Sequence, residues 1–149
     1  GTFDHMLPDS ECVRIMYEIL SEVRVGDFTI KVNHRQILDG LFEVCGVPSD
    51  MFRTICSSVD KLDKTPWEEV RNEMINEKNL NEEAADKIGT FVQKSGGLEL
   101  IEELEKADQL GENKTAMKGL EAMKLLLNYC DIYGVKQNVV FDMSLARGL

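Results

Sequence analysis

Arg147 is the residue whose type and position best suit ligand chemistry. It follows an alternating run at residues 138–145 and stands between Ala146 and Gly148. Two small neighbours allow a ligand to approach the guanidinium and the backbone closely. A guanidinium donates parallel hydrogen bonds, which suits phosphate and carboxylate groups. From the local sequence alone, however, the simpler interpretation of a surface arginine at a strand end is favoured.

Other reactive residue types lack the partners that their chemistry needs. Ser57 and Ser58 lie within a predicted helix with no histidine near them in sequence, and no phosphate-binding, zinc-protease or serine-hydrolase motif occurs. The acidic residues crowded into 99–108 lack the aspartate–glycine loop of a calcium site, which favours a solvated helix face. No metal site is expected at the cysteines, which have no CxxC spacing and are interpreted as free thiols on apolar helix faces. They are Cys12, Cys45, Cys56 and Cys130.

The elements that must position Arg147 follow from the hydrophobic periodicity. An amphipathic helix is predicted at 8–24 and a half-buried strand at 28–32, where Phe28, Ile30 and Val32 alternate with polar residues. A block of roughly six helices follows. Asn81 is predicted to cap one of them, Thr65-Pro66-Trp67-Glu68 to form a capping box, and Ser95-Gly96-Gly97 to end a helix. Residues 108–114 are predicted to form a loop, 114–133 a long helix and 138–145 the last strand.

Two isolated strands form only a marginal sheet, so we expect them to lie side by side with the helical block inserted between them. The predicted class is α+β and mostly helical. Because both strands need further partners, we also expect the chain to be a piece of a larger domain that contains a sheet.

Charge and composition exclude some classes of partner. The chain has 149 residues, and 27 acidic against 17 basic residues give a net charge of −10. Residues 81–112 hold nine acids and three bases, whereas residues 113–149 hold three acids and five bases. Taken alone, this balance argues against nucleic acid as the main partner. No stretch approaches the ~18 apolar residues of a membrane span, so no membrane partner is expected.

Three stretches of this sequence resemble the histidyl-tRNA synthetase family in its eukaryotic cytosolic form. Residues 141–149 (FDMSLARGL) resemble a signature that continues in that family into Asp-Tyr-Tyr. The second stretch is residues 30–40 (IKVNHRQILDG). The third is residues 52–64 (FRTICSSVDKLDK), which is followed by WEEV at residues 67–70. All three stretches keep the order and spacing that they have in the family. The likeness covers essentially the whole chain.

The resemblance implies a mostly helical fragment of a class II synthetase catalytic domain, between class II motifs 2 and 3. Residues 1–44 would belong to the catalytic core. Residues 45–110 would form a helical insertion domain near the acceptor stem of the tRNA. Residues 111–149 would return to the core with a helix and a strand that ends at the Arg-Gly-Leu signature.

The resemblance also implies a two-step reaction in which histidine and ATP give histidyl-adenylate, and the histidyl group then passes to histidine tRNA. Arg147 would contact the histidine carboxylate and the α-phosphate of ATP, and Mg²⁺ bound elsewhere would assist. The full-length enzyme would be a homodimer in the cytoplasm, with a mitochondrial form left open. The fragment alone would be inactive, with Arg147 poorly placed near its terminus.

Basic residues of the insertion are candidates for tRNA contact. They are Arg53, Lys61, Lys64 and Arg71, with Lys78 and Lys87 in the same group.

Two other functions remain open. The chain could belong to a non-catalytic, synthetase-like module that binds uncharged tRNA or a protein partner, or it could be a helical scaffold without a ligand. The presence of Ala146-Arg147-Gly148-Leu149 favours the enzyme, because a regulatory module does not need that signature. The parent sequence after Leu149 would discriminate between them.

Overall fold

The computed structural model describes residues 10–23, 29–107 and 109–146. Seven α-helices and three short strands make up the regular structure of that part of the chain. In order, they are α1 (Ser10–Val23), β1 (Ile30–Val32), α2 (Arg35–Cys45), α3 (Phe52–Asp60), α4 (Trp67–Asn72), α5 (Glu82–Val92), β2 (Ser95–Gly96), α6 (Leu98–Glu105), α7 (Lys114–Ile132) and β3 (Val139–Asp142). The predicted α+β class, dominated by helices, is confirmed. Phe28 and both ends of the predicted 8–24 helix lie outside the described residues.

The three strands form one sheet in the order β1-β3-β2. Strand β1 pairs in parallel with β3, with Ile30 opposite Val139 and Val32 opposite Phe141. The predicted adjacency of the first and last strands is therefore confirmed. Strand β2 runs antiparallel on the other side of β3 and places Gly96 opposite Phe141. The sequence prediction missed β2, because a strand of two residues is too short to show a periodicity.

Helices α2 and α7 bring the two parallel strands together. Helix α2 begins shortly after β1, and α7 ends shortly before β3. The helices approach closely at Gly40 and Gly119, where an added Cβ would lie 2.5 Å from Ala116 Cβ and 2.7 Å from Ile37 Cγ1, respectively. Larger side chains would push the helices apart. Leu120, in the middle of this contact, is completely buried.

Two local predictions about helix starts have opposite outcomes. Asn81 caps α5 as predicted, because its Oδ1 accepts hydrogen bonds from the backbone N–H groups of Glu83 and Ala84. The capping box at Thr65–Glu68 is wrong: α4 begins at Trp67, Pro66 is its N-cap rather than its first helical residue, and no side chain caps it. Proline fits the N-cap position because that residue lies outside the helix, and Pro66 has an extended conformation with a ψ of 151°.

The helices between the strands continue the same core. Helix α4 runs into a π-helical turn at Glu73–Glu77. Residues 110–112 of the predicted loop form a 3-10 turn, and Asp108 lies outside the described residues. Buried apolar residues from Ile15 to Ala146 form one cluster.

The division of the chain into catalytic-core residues 1–44, insertion-domain residues 45–110 and catalytic-core residues 111–149 stays a prediction. In the described chain, none of the helices combines the length and apolar character of a membrane span.

Candidate functional site

Arg147 lies outside the described residues, but the turn that leads to it is described. We call residues 142–146 the β3 turn. Asp142 closes it, since its Oδ1 accepts hydrogen bonds from Ser144 N at 2.9 Å and from Ser144 Oγ at 2.7 Å. The backbone N–H of Leu145 donates to Asp142 O at 3.1 Å. Ala146, the last residue before Arg147, is 6% exposed. The chain therefore reaches Arg147 from a hydrogen-bonded turn in which Met143 and Ala146 are buried.

Asn33 holds this turn from the neighbouring strand. Because β1 and β3 are parallel, the residue after β1 lies beside the residues after β3. Asn33 Nδ2 donates to Met143 O at 3.3 Å and to Leu145 O at 3.1 Å. Its Oδ1 accepts from the backbone N–H of His34 at 2.8 Å. The side chain uses both of its polar groups while Asn33 is only 3% exposed.

Two more contacts hold the β3 turn from other elements. The backbone N–H of Met143 donates to Lys94 O, just before β2, at 3.1 Å. Cys56 Sγ, on α3, donates to Ala146 O at 3.9 Å. Burial, with the nearby Asp39 and Asp60 carboxylates, raises the pKa of the Cys56 thiol to about 11, so the thiol keeps its proton at neutral pH. The turn is thus held from β1, from β2 and from a helix of the predicted insertion.

Polar and charged side chains link β1 and the start of α2 to neighbouring elements. His34 is the N-cap of α2, and its Nδ1 accepts a hydrogen bond from the backbone N–H of Gln36 at 3.1 Å. Glu11 Oε2, on α1, accepts from the backbone N–H of Arg35 at 2.8 Å. Lys31 Nζ lies 3.8 Å from Asp142 Oδ2. These contacts connect α1, β1 and α2 to the strand that leads to Arg147.

The cationic candidates on the helical block separate into residues that form ion pairs and residues that do not. Lys61 binds Glu73, and Arg71 binds Asp86 at 2.7 Å and Glu82 at 3.1 Å. Arg53 and Lys64 are exposed, and neither forms an ion pair with any residue in the described part of the chain. Of the wider group, Lys87 is exposed, whereas Lys78 takes part in an internal cluster.

That cluster, which we call the Glu73 cluster, was not anticipated from the sequence. It consists of Ser58, Lys61, Glu73 and Lys78. Ser58 is completely buried, and its Oγ donates to Glu73 Oε2 at 2.5 Å and accepts from Lys78 Nζ. Lys78 Nζ also donates to Thr54 O at 2.7 Å. Hydrogen bonds from Lys61 and Ser58 lower the pKa of Glu73 to about 2. Ser58 therefore acts as a buried hydrogen-bonding group and is inaccessible as a nucleophile.

The acidic residues of α6 form separate contacts. Glu99 Oε1 accepts from the backbone N–H of Gly97 at 2.9 Å, Glu103 pairs with Lys94 at 2.6 Å, and Glu105 lies 3.7 Å from Lys124. Within residues 10–23, 29–107 and 109–146, no three histidine, cysteine, aspartate or glutamate side chains lie together so that they could hold a metal ion.

Sequence reasoning singled out Arg147 and missed the groups that hold the turn before it. Asn33 and Cys56 lie 112 and 90 positions from the residues whose carbonyls they bind. The available signal was weak: an asparagine that directly follows a predicted strand and precedes a helix. Its partner could be identified only once the two strands were known to be parallel neighbours.

Three comparisons with known proteins point to the same family. The family model described as histidyl-tRNA synthetase matches residues 4–149. The chain is 58% identical to the cytoplasmic histidine–tRNA ligase of Takifugu rubripes and 53% identical to the mitochondrial histidine–tRNA ligase of Homo sapiens, in each case over all of this chain and 29% of the relative. The crystal structure of histidyl-tRNA synthetase from Nostoc sp. PCC 7120 superposes with a TM-score of 0.76 at 27% identity, covering 91% of this chain and 32% of that one.

Proposed function

The chain belongs to the histidyl-tRNA synthetase family, and on that premise we propose that it is a segment of a histidine–tRNA ligase. It spans 29% of the length of the curated relatives named above. The proposed activity is therefore that of the full-length parent, which would activate histidine with ATP and transfer it to histidine tRNA. The observation that carries the proposal is the match over residues 4–149, which includes the Ala146-Arg147-Gly148-Leu149 signature.

In this proposal, Arg147 stabilises charge in the activation step. A histidine carboxylate oxygen attacks the α-phosphorus of ATP, and the bond from that phosphorus to the pyrophosphate oxygen breaks. Two anions must meet, and negative charge builds on the phosphate oxygens. A guanidinium that donates to both the carboxylate and the phosphate lowers that barrier most effectively when it is held in place beforehand. The contacts to the β3 turn from Asn33, Lys94 and Cys56 support such preorganisation.

ATP is proposed as a substrate, with Mg²⁺ entering as its counterion. The described residues do not fit a metal site, since no cluster of three metal-binding side chains occurs among them. As the family resemblance implies, the protein ligands for Mg²⁺ are proposed to lie on the remainder of the parent enzyme.

For tRNA binding, the ion pairs favour Arg53 and Lys64 over Lys61 and Arg71. Both are exposed, and neither has an ion-pair partner in the described part of the chain. Lys61 and Arg71 would first have to leave Glu73 and Asp86. Residues 81–112, with nine acids against three bases, are proposed to face away from the phosphate backbone.

Exposed apolar side chains support the proposal that these residues belong to a larger protein. Tyr17 on α1 is 74% exposed, and Ile132 and Tyr133 at the end of α7 are 74% and 61% exposed. We propose that the remainder of the parent chain covers this face. The homodimer and the cytoplasmic or mitochondrial location belong to the same proposal.

Histidine-dependent ATP–pyrophosphate exchange tests the proposed function. The full-length parent should incorporate labelled pyrophosphate into ATP only when histidine is present, and this 149-residue chain should not. An inactive full-length parent that still binds uncharged tRNA would instead support a regulatory module. Absence of Asp-Tyr-Tyr after Leu149 in the parent sequence would also argue against the ligase.

A further inference from the structure

We propose that Asn33 is a positioning residue for Arg147, acting through the backbone of the β3 turn. The inference rests on the proposed function, because it assigns Asn33 a part in the same activation step. Asn33 touches neither reacting group in this proposal. It holds Met143 and Leu145, and Leu145 precedes Arg147 by two residues.

The orientation of the Asn33 amide follows from its hydrogen bonds. The backbone N–H of His34 can only donate, so the atom that it contacts must be Oδ1. Nδ2 then faces the two carbonyls and uses both of its hydrogens, one for Met143 O and one for Leu145 O. Reversing the amide would place donor against donor and acceptor against acceptor. The asparagine therefore fits this position in one orientation only.

The Met143 carbonyl depends on that amide most, because Met143 is completely buried and Asn33 is only 3% exposed. Leu145 and its hydrogen bond to Asn33 are partly buried. A carbonyl that loses its donor in such surroundings is left without a hydrogen-bond partner, and the turn can recover one by shifting towards water. A displacement of ~1 Å in a reacting geometry can reduce a rate about 100-fold. A small rearrangement of the β3 turn should therefore displace Arg147 and lower the rate of histidine activation.

The asparagine is also chemically suited to hold the backbone that leads to Arg147. It supplies two donors without adding a charge. A lysine or arginine in its place would bring a positive charge to the β3 turn, and a carboxylate would repel the two carbonyls. A neutral amide holds the turn and leaves the charge of the site to Arg147.

The test uses the full-length parent and the nearly isosteric substitution Asn33→Asp. Aspartate keeps the acceptor for His34 N and replaces the NH₂ donor with an oxygen. At pH 8 we expect kcat for histidine-dependent exchange to fall about 10- to 100-fold. At pH 6 the loss should become smaller, because a carboxyl held against two carbonyls takes up a proton and again donates one hydrogen bond. The matched control is Asn81→Asp, which keeps an N-cap acceptor and should leave exchange unchanged at both pH values.

Coupling to Arg147 separates positioning from a general structural role. In an Arg147→Ala background, Asn33→Asp should reduce exchange by less than about 2-fold, because the group that it positions is already absent. Should Asn33→Asp not fold, Asn33→Ser removes the same two contacts without adding a charge, and the same coupling is expected.

Equal losses from Asn33→Asp in the wild-type and Arg147→Ala backgrounds, or normal exchange by a folded Asn33→Asp or Asn33→Ser protein, would overturn the inference. Absence of exchange in the wild-type parent would instead remove the proposed function itself, so the two failures are distinguishable.

Discussion

The β3 turn and the Glu73 cluster both join segments that are distant in sequence, but they do so by different means. In the β3 turn, a neutral amide and a protonated thiol donate to backbone carbonyls. In the Glu73 cluster, a carboxylate is held between two ammonium groups and a buried hydroxyl. The first arrangement adds no net charge to the turn that leads to Arg147. The second stabilises α3 against the π-helical turn with charge. Positioning and stability should therefore be separable by mutation.

The largest effect is expected from Arg147→Ala in the full-length parent. Exchange should fall at least ~100-fold, about 2.7 kcal/mol, which is the scale for losing one preorganised charge donor. Thermal stability should change little, because the β3 turn keeps its own hydrogen bonds. Near-normal exchange by this variant would show that the role inferred from the family does not apply to Arg147.

A loss of stability without a loss of catalysis is expected from Ser58→Ala. It leaves Glu73 and Lys78 without their shared hydroxyl and should lower the free energy of unfolding by about 1–3 kcal/mol, measured by urea denaturation. Exchange by the full-length variant, well below its melting temperature, should stay within about twofold of wild type, since ΔΔG values at sites that share no partners are usually independent. The adjacent Ser57→Ala is the matched control. Ser57 is exposed, and its removal should change stability by no more than ~0.5 kcal/mol.

Acid should weaken the Glu73 cluster. The pKa of Glu73 is lowered in the folded protein to about 2 from an ordinary value of 4.5. A lowered folded-state pKa means that the stabilisation is complete above the ordinary value and is lost as the pH falls from 4.5 towards 2. The difference in unfolding free energy between wild type and Glu73→Gln should therefore shrink over that range. A difference that stays constant from pH 6 to pH 3 would contradict this assignment.

The smallest effect is expected for tRNA binding. Replacing both Arg53 and Lys64 with alanine should raise the KM for histidine tRNA several-fold and reduce its dependence on salt, because phosphate contacts release counterions. Arg71→Ala should change this KM less, since Arg71 is already paired with Asp86 and Glu82. A larger effect from Arg71→Ala would reverse the proposed orientation of the helical block towards the tRNA.

Much of the fold could be predicted because its strongest signals are local. The amphipathic helix predicted at 8–24, the alternation around Ile30 and the cap at Asn81 each depend on residues that lie close together in the sequence. The predictions that failed also involve local choices, but neighbouring elements decided them. Pro66 is the N-cap of α4 instead of its first helical residue. Strand β2 forms by pairing with β3, which is distant in sequence.

The sequence by itself determined the class of fold, the family and the one arginine that chemistry would single out, since each depends on residue type and short spacing. The tertiary structure decided which residues hold the turn before that arginine. Asn33 meets Met143 and Leu145 only because β1 and β3 are parallel and end at the same edge. It also decided which cations are engaged, since Lys61 and Arg71 have partners from distant positions. Such contacts span up to 112 positions, and no local pattern encodes the free energy of a contact between residues so far apart.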